Sequence, residues 1–284
     1  MTATDTTRRL EISSIKSFGE YAWKRLSARP RLTVGCILVA FVVFMGIFAP
    51  WIAPNDPSES SINVLIGPTH ANWFGTDDLG RDVFSRVIYG ARTSLIIGIG
   101  GAVVAVLVGA PIGLLAGYLG GVVDLILVPV IDLFLAMPAL VLALIIITMV
   151  GASFGNIVLV LGFVMWPIIA RLVRGQALTV KTQPFVDAAK VAGAGPIWIM
   201  RKHVWPNLMR VIAAQFAIIV SFCIFTSASL SFLGLGVPPP TPDWGGMVRT
   251  GSDFLSINPL MSLAPGLAVA VTAVGFYLMG SAVE

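Results

Sequence analysis

Charge is scarce in this sequence: 11% of its 284 residues are Asp, Glu, Lys or Arg, against roughly 25% in an ordinary soluble domain. Histidine occurs only at His70 and His203, and cysteine only at Cys36 and Cys223. Both cysteines sit inside apolar runs, where a thiol acts as a small apolar side chain, so neither a disulfide framework nor a metal site is expected. No stretch reads Gly-x-x-x-x-Gly-Lys-[Ser/Thr], and Gly is nowhere followed by Lys. The loop that cradles nucleotide phosphates is therefore missing, and the chain cannot hydrolyse ATP alone. No catalytic residue and no cofactor are expected in this chain.

What is abundant is apolar surface, at 57% of residues. About 20 consecutive apolar residues cross a hydrocarbon core of roughly 30 Å, and the need to pair every backbone polar group there favours helices. Six runs qualify: Thr33 to Ala53, Ser94 to Tyr118, Val122 to Val150, Ile157 to Arg174, Val211 to Leu235 and Pro259 to Gly280. The fold expected is an all-α polytopic membrane protein with six transmembrane helices. The first run is longer than the apolar stretch of a secretory signal and follows 32 residues, so it is expected to stay in the protein.

Orientation follows from the basic residues, which accumulate in cytoplasmic loops. Of eighteen Lys and Arg, seven lie in residues 1–32 and seven between Arg171 and Arg210; Arg81, Arg86, Arg92 and Arg249 fall elsewhere. With six spans, this bias places both termini in the cytoplasm. It also accounts for the net charge of +4 without a nucleic-acid partner.

Gly151, Ser153 and Gly155 spell the Gly-x-Ser-x-Gly of a nucleophile elbow. On this topology His203 lies a membrane thickness from Ser153, and His70 sits in a loop with no fixed register to it, so a small-residue turn is the expectation. Asp124 and Asp132 are the acids within the spans. A charge in a membrane is costly and marks a candidate for function. Asp132 lies only about 12 Å along the helix from Asp124 at the cytoplasmic boundary, which suits a structural or inner-gate position. An ion-coupled carrier using Asp132 as proton relay is the alternative function. Such carriers show inverted repeats, and none is evident. Pro129 and Pro138 should bend this span.

Between Arg171 and Arg210 the chain reads FVDAAKVAGAGPIWIMRKHVWPN, Phe185 to Asn207. Pro184 suits a first helical turn, and Asp187 places negative charge at the positive end of the helix dipole. Phe185, Ala188, Ala189 and Ala192 then fall on one face. Gly193, Gly195 and Pro196 stop the helix; Ile197 to Trp205 form a second, cationic one, and Pro206 separates it from the next span. Resting on lipid is one use of such a loop. The order Asp187-Ala188-Ala189, three residues, Gly193, then nine residues to His203-Val204-Trp205-Pro206 resembles the coupling loop of ABC importer permeases, whose pattern is E-A-A, three residues, G, nine residues, I-x-L-P. Here Asp187 replaces Glu, His203 replaces Ile and Trp205 replaces Leu.

NWFGTDDLGRDVFSRVIYGARTSL, Asn72 to Leu95, is similar to the outer segment of C-type subunits of the dipeptide, oligopeptide and nickel permeases. SLSFLGLGVPPPTPDWGGM, Ser229 to Met247, and APGLAVAV, Ala264 to Val271, resemble the same family. The resemblance implies a type I ABC importer permease fold with a cytoplasmic coupling helix. Its expected organisation is a cytoplasmic tail 1–32, a first helix and outer segment 33–91, a core 92–280 with coupling loop 184–206, and a short tail 281–284. It implies as partners a homologous B-type permease subunit, two ATPase subunits or domains that bind ATP and Mg, an extracytoplasmic substrate-binding protein, and membrane lipid. The ATPase-coupling residues implied are Asp187, Ala188, Ala189, Gly193, His203 and Pro206. From the residues alone, Val83, Val87, Ile88 and Ala91 line a helix ending near Arg92, while Asp77, Asp78, Asp82, Arg81 and Arg86 form a solvated, partly self-paired charged surface; Asp77, Asp78, Arg81, Asp82 and Trp244 are the candidates for docking the receptor that the resemblance implies. The expected cargo is dipeptides, oligopeptides or a related small solute.

Overall fold

The computed structural model describes residues 30–282; residues 1–29, most of the cytoplasmic tail expected over 1–32, and residues 283–284 lie outside the described residues. Eleven α-helices run in order: α1 (Pro30–Ile47), α2 (Ala49–Ile52), α3 (Val83–Leu119), α4 (Gly121–Ala136), α5 (Ala139–Val150), α6 (Phe154–Lys181), α7 (Pro184–Val191), α8 (Pro196–Ile199), α9 (Trp205–Phe232), α10 (Trp244–Ser252) and α11 (Leu260–Ser281). A π-helical turn, Met200–Val204, joins α8 to α9. Among the described residues five helices are long and apolar enough to cross a membrane; α4 and α5 qualify only as a pair, bent by 90° at their break, which makes six if the pair is one span. That bend falls at Met137–Pro138, where the residue before a proline leaves the helical region. Pro129 stays inside α4.

The centre of the bundle is the α3–α6 seam, and small residues build it. Gly109, Gly113 and Gly117 repeat every four residues and lie along one stripe of α3. A Cβ on Gly113 would fall against the Ala170 carbonyl on α6, 3.0 Å from its carbon, and one on Gly117 would fall 2.6 Å from the Arg174 carbonyl oxygen. Membrane helices gain nothing from hiding apolar surface from lipid, so close backbone approach and dispersion supply the attraction instead. Elsewhere Gly35 of α1 sits against α11, where a Cβ would be 2.8 Å from the Gly275 carbonyl oxygen.

Helix α3 corrects the sequence reading. It continues through Arg92 for 37 residues, about 55 Å, well beyond a hydrocarbon core of roughly 30 Å. Arg92 does not end the helix because its guanidinium is used elsewhere: it donates to the Gly46 and Ile47 carbonyls, groups a helix end leaves unpaired. The expected apolar face is present, with Val83, Val87, Ile88 and Ala91 all buried.

Ahead of α3, residues 54–82 fold into a compact lobe at one end of the bundle. Asp82 caps α3 by accepting from the Ser85 amide at 2.9 Å and the Ser85 hydroxyl at 2.6 Å, and Asn72 donates to its other oxygen at 2.9 Å. Asn258, just before α11, donates to the Phe74 carbonyl at 2.9 Å and ties the lobe to the far end of the chain. The opposite end of the bundle carries α7, α8 and the π-turn.

Candidate functional site

At the α7 end, helix formation follows local chemistry. Pro184 occupies the first turn of α7, and Asp187 and Lys190 pair at 2.8 Å on its exposed side. That hydrogen bond to Asp187 raises the Lys190 pKa above the usual lysine value. Gly193 adopts φ +83°, which a β-carbon would strain. Its amide donates to the Lys190 carbonyl at 2.9 Å and the next amide, Ala194, to the Ala189 carbonyl at 3.0 Å. This pair of bonds is a Schellman closure, which satisfies the last carbonyls of α7 and turns the chain toward α8.

The apolar face of α7 differs from the expected one. Ala189 points inward with Val186, both buried, while Phe185, Ala188 and Ala192 are exposed. Ala189 therefore anchors the loop on the bundle and is not part of an outward surface. Phe185, Val191, Ile197 and Trp198 leave large apolar side chains in the open. His203 sits half-buried between the Phe185 ring at 5.9 Å and the Trp198 ring at 5.1 Å. Pro206 does not separate two helices, since the chain runs unbroken from the π-turn into α9. The Trp205 amide reaches back five residues to the Met200 carbonyl. This wider turn eases the proline ring past the preceding carbonyls, where a tight α-turn would clash.

Both intramembrane acids have partners on α6 that sequence reasoning missed. Asp124 receives a two-pronged bond from Arg174, at 2.6 and 2.8 Å, and Asp132 pairs with Arg171. The signal was present: Arg171 and Arg174 lie one turn apart on one span, facing two acids eight residues apart on the other. The two pairs differ in exposure. The Asp124 and Arg174 side chains are 26% and 29% exposed, whereas those of Asp132 and Arg171 are 50% and 58%. Ser153 caps α6 and accepts from the Asn156 amide at 3.2 Å, which is the turn role expected for it.

At the lobe end the proposed docking surface is corrected. Asp77, Arg81, Asp82 and Trp244 are buried. Asp77 accepts from the Leu79 and Arg81 amides at 3.0 and 2.9 Å and pairs with the Arg81 side chain at 2.7 Å, so a single tight turn consumes its charge. The Trp244 indole donates to the Val87 carbonyl at 2.8 Å, in space left by Gly90, where a Cβ would lie 2.7 Å from the indole. Of the five candidates, Asp78 alone keeps a half-open side chain. Arg86, which sequence reading left as part of a charged surface, is buried and donates to the Pro57 carbonyl at 2.8 Å and the Pro240 carbonyl at 3.4 Å. Asp243 caps α10 at 2.9 Å from the Gly246 amide, and burial raises its carboxyl pKa above the usual range against the opposing pull of its hydrogen bonds. Among the described residues, no group of His, Cys, Asp and Glu is arranged to hold a metal.

Residues 109–284 match the family described as the binding-protein-dependent transport system inner membrane component, and residues 17–68 match the N-terminal transmembrane domain of oligopeptide transport permease C. The chain is 35% identical over 260 residues to the glutathione transport system permease protein GsiD of Escherichia coli O1:K1 / APEC. It is 36% identical to its counterpart in Shigella flexneri serotype 5b (strain 8401). Each match covers 91% of this chain and 86% of the relative. The fold is similar to a chain of the MetNI methionine ABC transporter in an inward-facing conformation, with TM-score 0.56 and 18% identity, over 70% of this chain and 96% of that one. The chain belongs to the binding-protein-dependent transport system inner membrane components and is a multi-pass, non-catalytic permease subunit of an ATP-driven ABC importer with the type I fold, ATP hydrolysis residing in partner subunits.

Proposed function

We propose that this chain forms half of a translocation path for dipeptides, oligopeptides or a related small peptide such as glutathione, the solute named for its relatives. A homologous B-type subunit supplies the other half. The α4–α5 unit supports this arrangement, because Val122, Leu125, Ile126 and Leu133 leave it apolar and open. Two ATPase subunits bind ATP and Mg and grip the coupling loop, while an extracytoplasmic substrate-binding protein delivers cargo at the lobe end. Both termini and the coupling loop lie in the cytoplasm, a placement that the distribution of basic residues supports. Asp132, already engaged by Arg171, holds a structural position at the inner mouth, and an ATP-driven family replaces the ion-coupled carrier.

The observation that carries the reading is the loop at Pro184–Pro206: a glycine-closed helix pair with exposed apolar side chains on a chain lacking any phosphate-binding loop. Nucleotide state can shift the helices only if the ATPases contact that loop differently in the two arrangements. Mass spectrometry of the complex in mild detergent should find copurifying ATPase chains. Cysteine tagging at Lys190 or Lys202 should label only from the cytoplasmic side. Labelling from outside would end the coupling assignment.

A further inference from the structure

A cavity of about 430 Å³ opens between the lobe, the α9–α10 connection and α10. Three cations line it, Arg81, Arg86 and Arg249, together with Asp77 and Asp243. Both acids are committed: Asp77 to its own turn and Arg81, Asp243 to the amides of α10. Arg86 is held by the Pro57 carbonyl. Arg249 is the exception, because among the described residues its guanidinium meets no carboxylate within ion-pair distance and donates to no acceptor. The residue is exposed, and its side chain lines the cavity. Its guanidinium lies against Gly234, whose φ is +88° and where a Cβ would fall 3.1 Å from the guanidinium carbon. The backbone thus leaves room for a cation facing a cavity with no anion of its own to spare.

We propose that this cavity binds the C-terminal carboxylate of a small peptide, with Arg249 as its forked donor and Arg86 adding positive potential behind it. The volume falls within the 300 to 1,000 Å³ of ordinary small-ligand sites, and a guanidinium matches a carboxylate with two parallel N–H donors. The reading rests on the importer function above and adds to it a receptor-independent peptide site on the permease itself, beside the receptor's delivery face.

The test uses the complete permease–ATPase complex in nanodiscs without receptor, with triglycine and triglycinamide as probes and saturation-transfer NMR as readout. Triglycine binds saturably and the amide at least about tenfold more weakly, the loss expected when a charge-assisted bond disappears. Arg249→Gln weakens triglycine about tenfold and abolishes the preference, while Arg249→Lys restores part of it. Absence of triglycine binding, or equal binding of both probes, overturns the proposal. So does an Arg249→Gln variant that keeps triglycine but loses capture of the receptor, which would make the cavity a receptor contact. Receptor-stimulated ATP hydrolysis in the same preparations separates the two layers: hydrolysis without triglycine binding rejects only the cavity, and absent hydrolysis rejects the importer reading.

Discussion

The coupling loop and the outer lobe share one sequence signature, a polar stretch with several glycines between apolar spans, and the structure uses them in opposite ways. In the lobe the charges turn inward. Asp77, Arg81, Asp82 and Arg86 are buried and occupied with amides, carbonyls and one another. In the loop they stay outside: Asp187 and Lys190 pair on the surface, while the nearby apolar side chains of Phe185, Val191 and Trp198 are exposed. A buried charge is tolerable only when paired and hydrogen-bonded, so the lobe is rigid by chemical necessity. Exposed apolar groups on a short helix pair carry the opposite message, a surface that waits for a partner.

Substitutions can break this contrast. The largest effect is expected for Asp77→Ala. It leaves Arg81 and Arg86 buried without their carboxylate and should cost about 3 to 5 kcal/mol, seen as a fall in the thermal midpoint of the detergent-solubilised complex; an unchanged midpoint would mean the lobe does not depend on that pair. Gly193→Val should reverse the pattern, leaving folding and membrane yield near normal while abolishing uptake and coupled ATP hydrolysis, because a branched residue cannot take φ +83° without strain. Uptake at the parental rate would show that the loop tolerates a distorted turn. Asp187→Ala should lower ATPase copurification only modestly, since an exposed pair contributes little. Identical copurification and hydrolysis rates would remove Asp187 from the coupling set.

The smallest effect sharpens the comparison through pH. Burial raises the Asp243 pKa in the folded protein, so the folded state holds that proton more tightly than the unfolded one, and Asp243 contributes most at low pH. Stability falls as pH rises from the ordinary carboxylate value through the raised one. Asp243→Asn keeps a capping oxygen and should flatten that part of the profile in thermal melts. A parental slope in the variant would place the dependence on another group. The loop's shift is also upward but favours the charged form, a lysine stabilised by Asp187, so its pair persists until the pH rises through the raised Lys190 value.

Much of the fold was legible because bilayer chemistry leaves few choices. Long apolar runs had to become helices: among the described residues five of the six expected spans are single long helices, and the remaining run is a helix pair bent by 90° at Met137–Pro138. Pro184 and Gly193 marked the start and the closure of α7 by local backbone rules. The misreadings share a cause. Arg92 read as a helix end, Pro206 as a separator and Ala189 as an outward face, since each was judged by its immediate neighbours. What settled them was remote in sequence or register: the carbonyls at the end of α1, a turn widened by one residue, and the packing of Val186 and Ala189 against the bundle.

By itself, the amino-acid order determined that this chain lives in a membrane as a helical bundle, that it carries no phosphate-binding loop, and where α7 starts and closes, because hydrophobic length, basic-residue bias and backbone stereochemistry act over a few residues. Only the tertiary structure decided which charges face inward, that Arg171 and Arg174 answer Asp132 and Asp124, and that Arg249 stands without an acid beside a cavity. Those outcomes depend on distances between groups far apart along the chain, and electrostatic and hydrogen-bond energies are set by such distances and by exclusion of solvent.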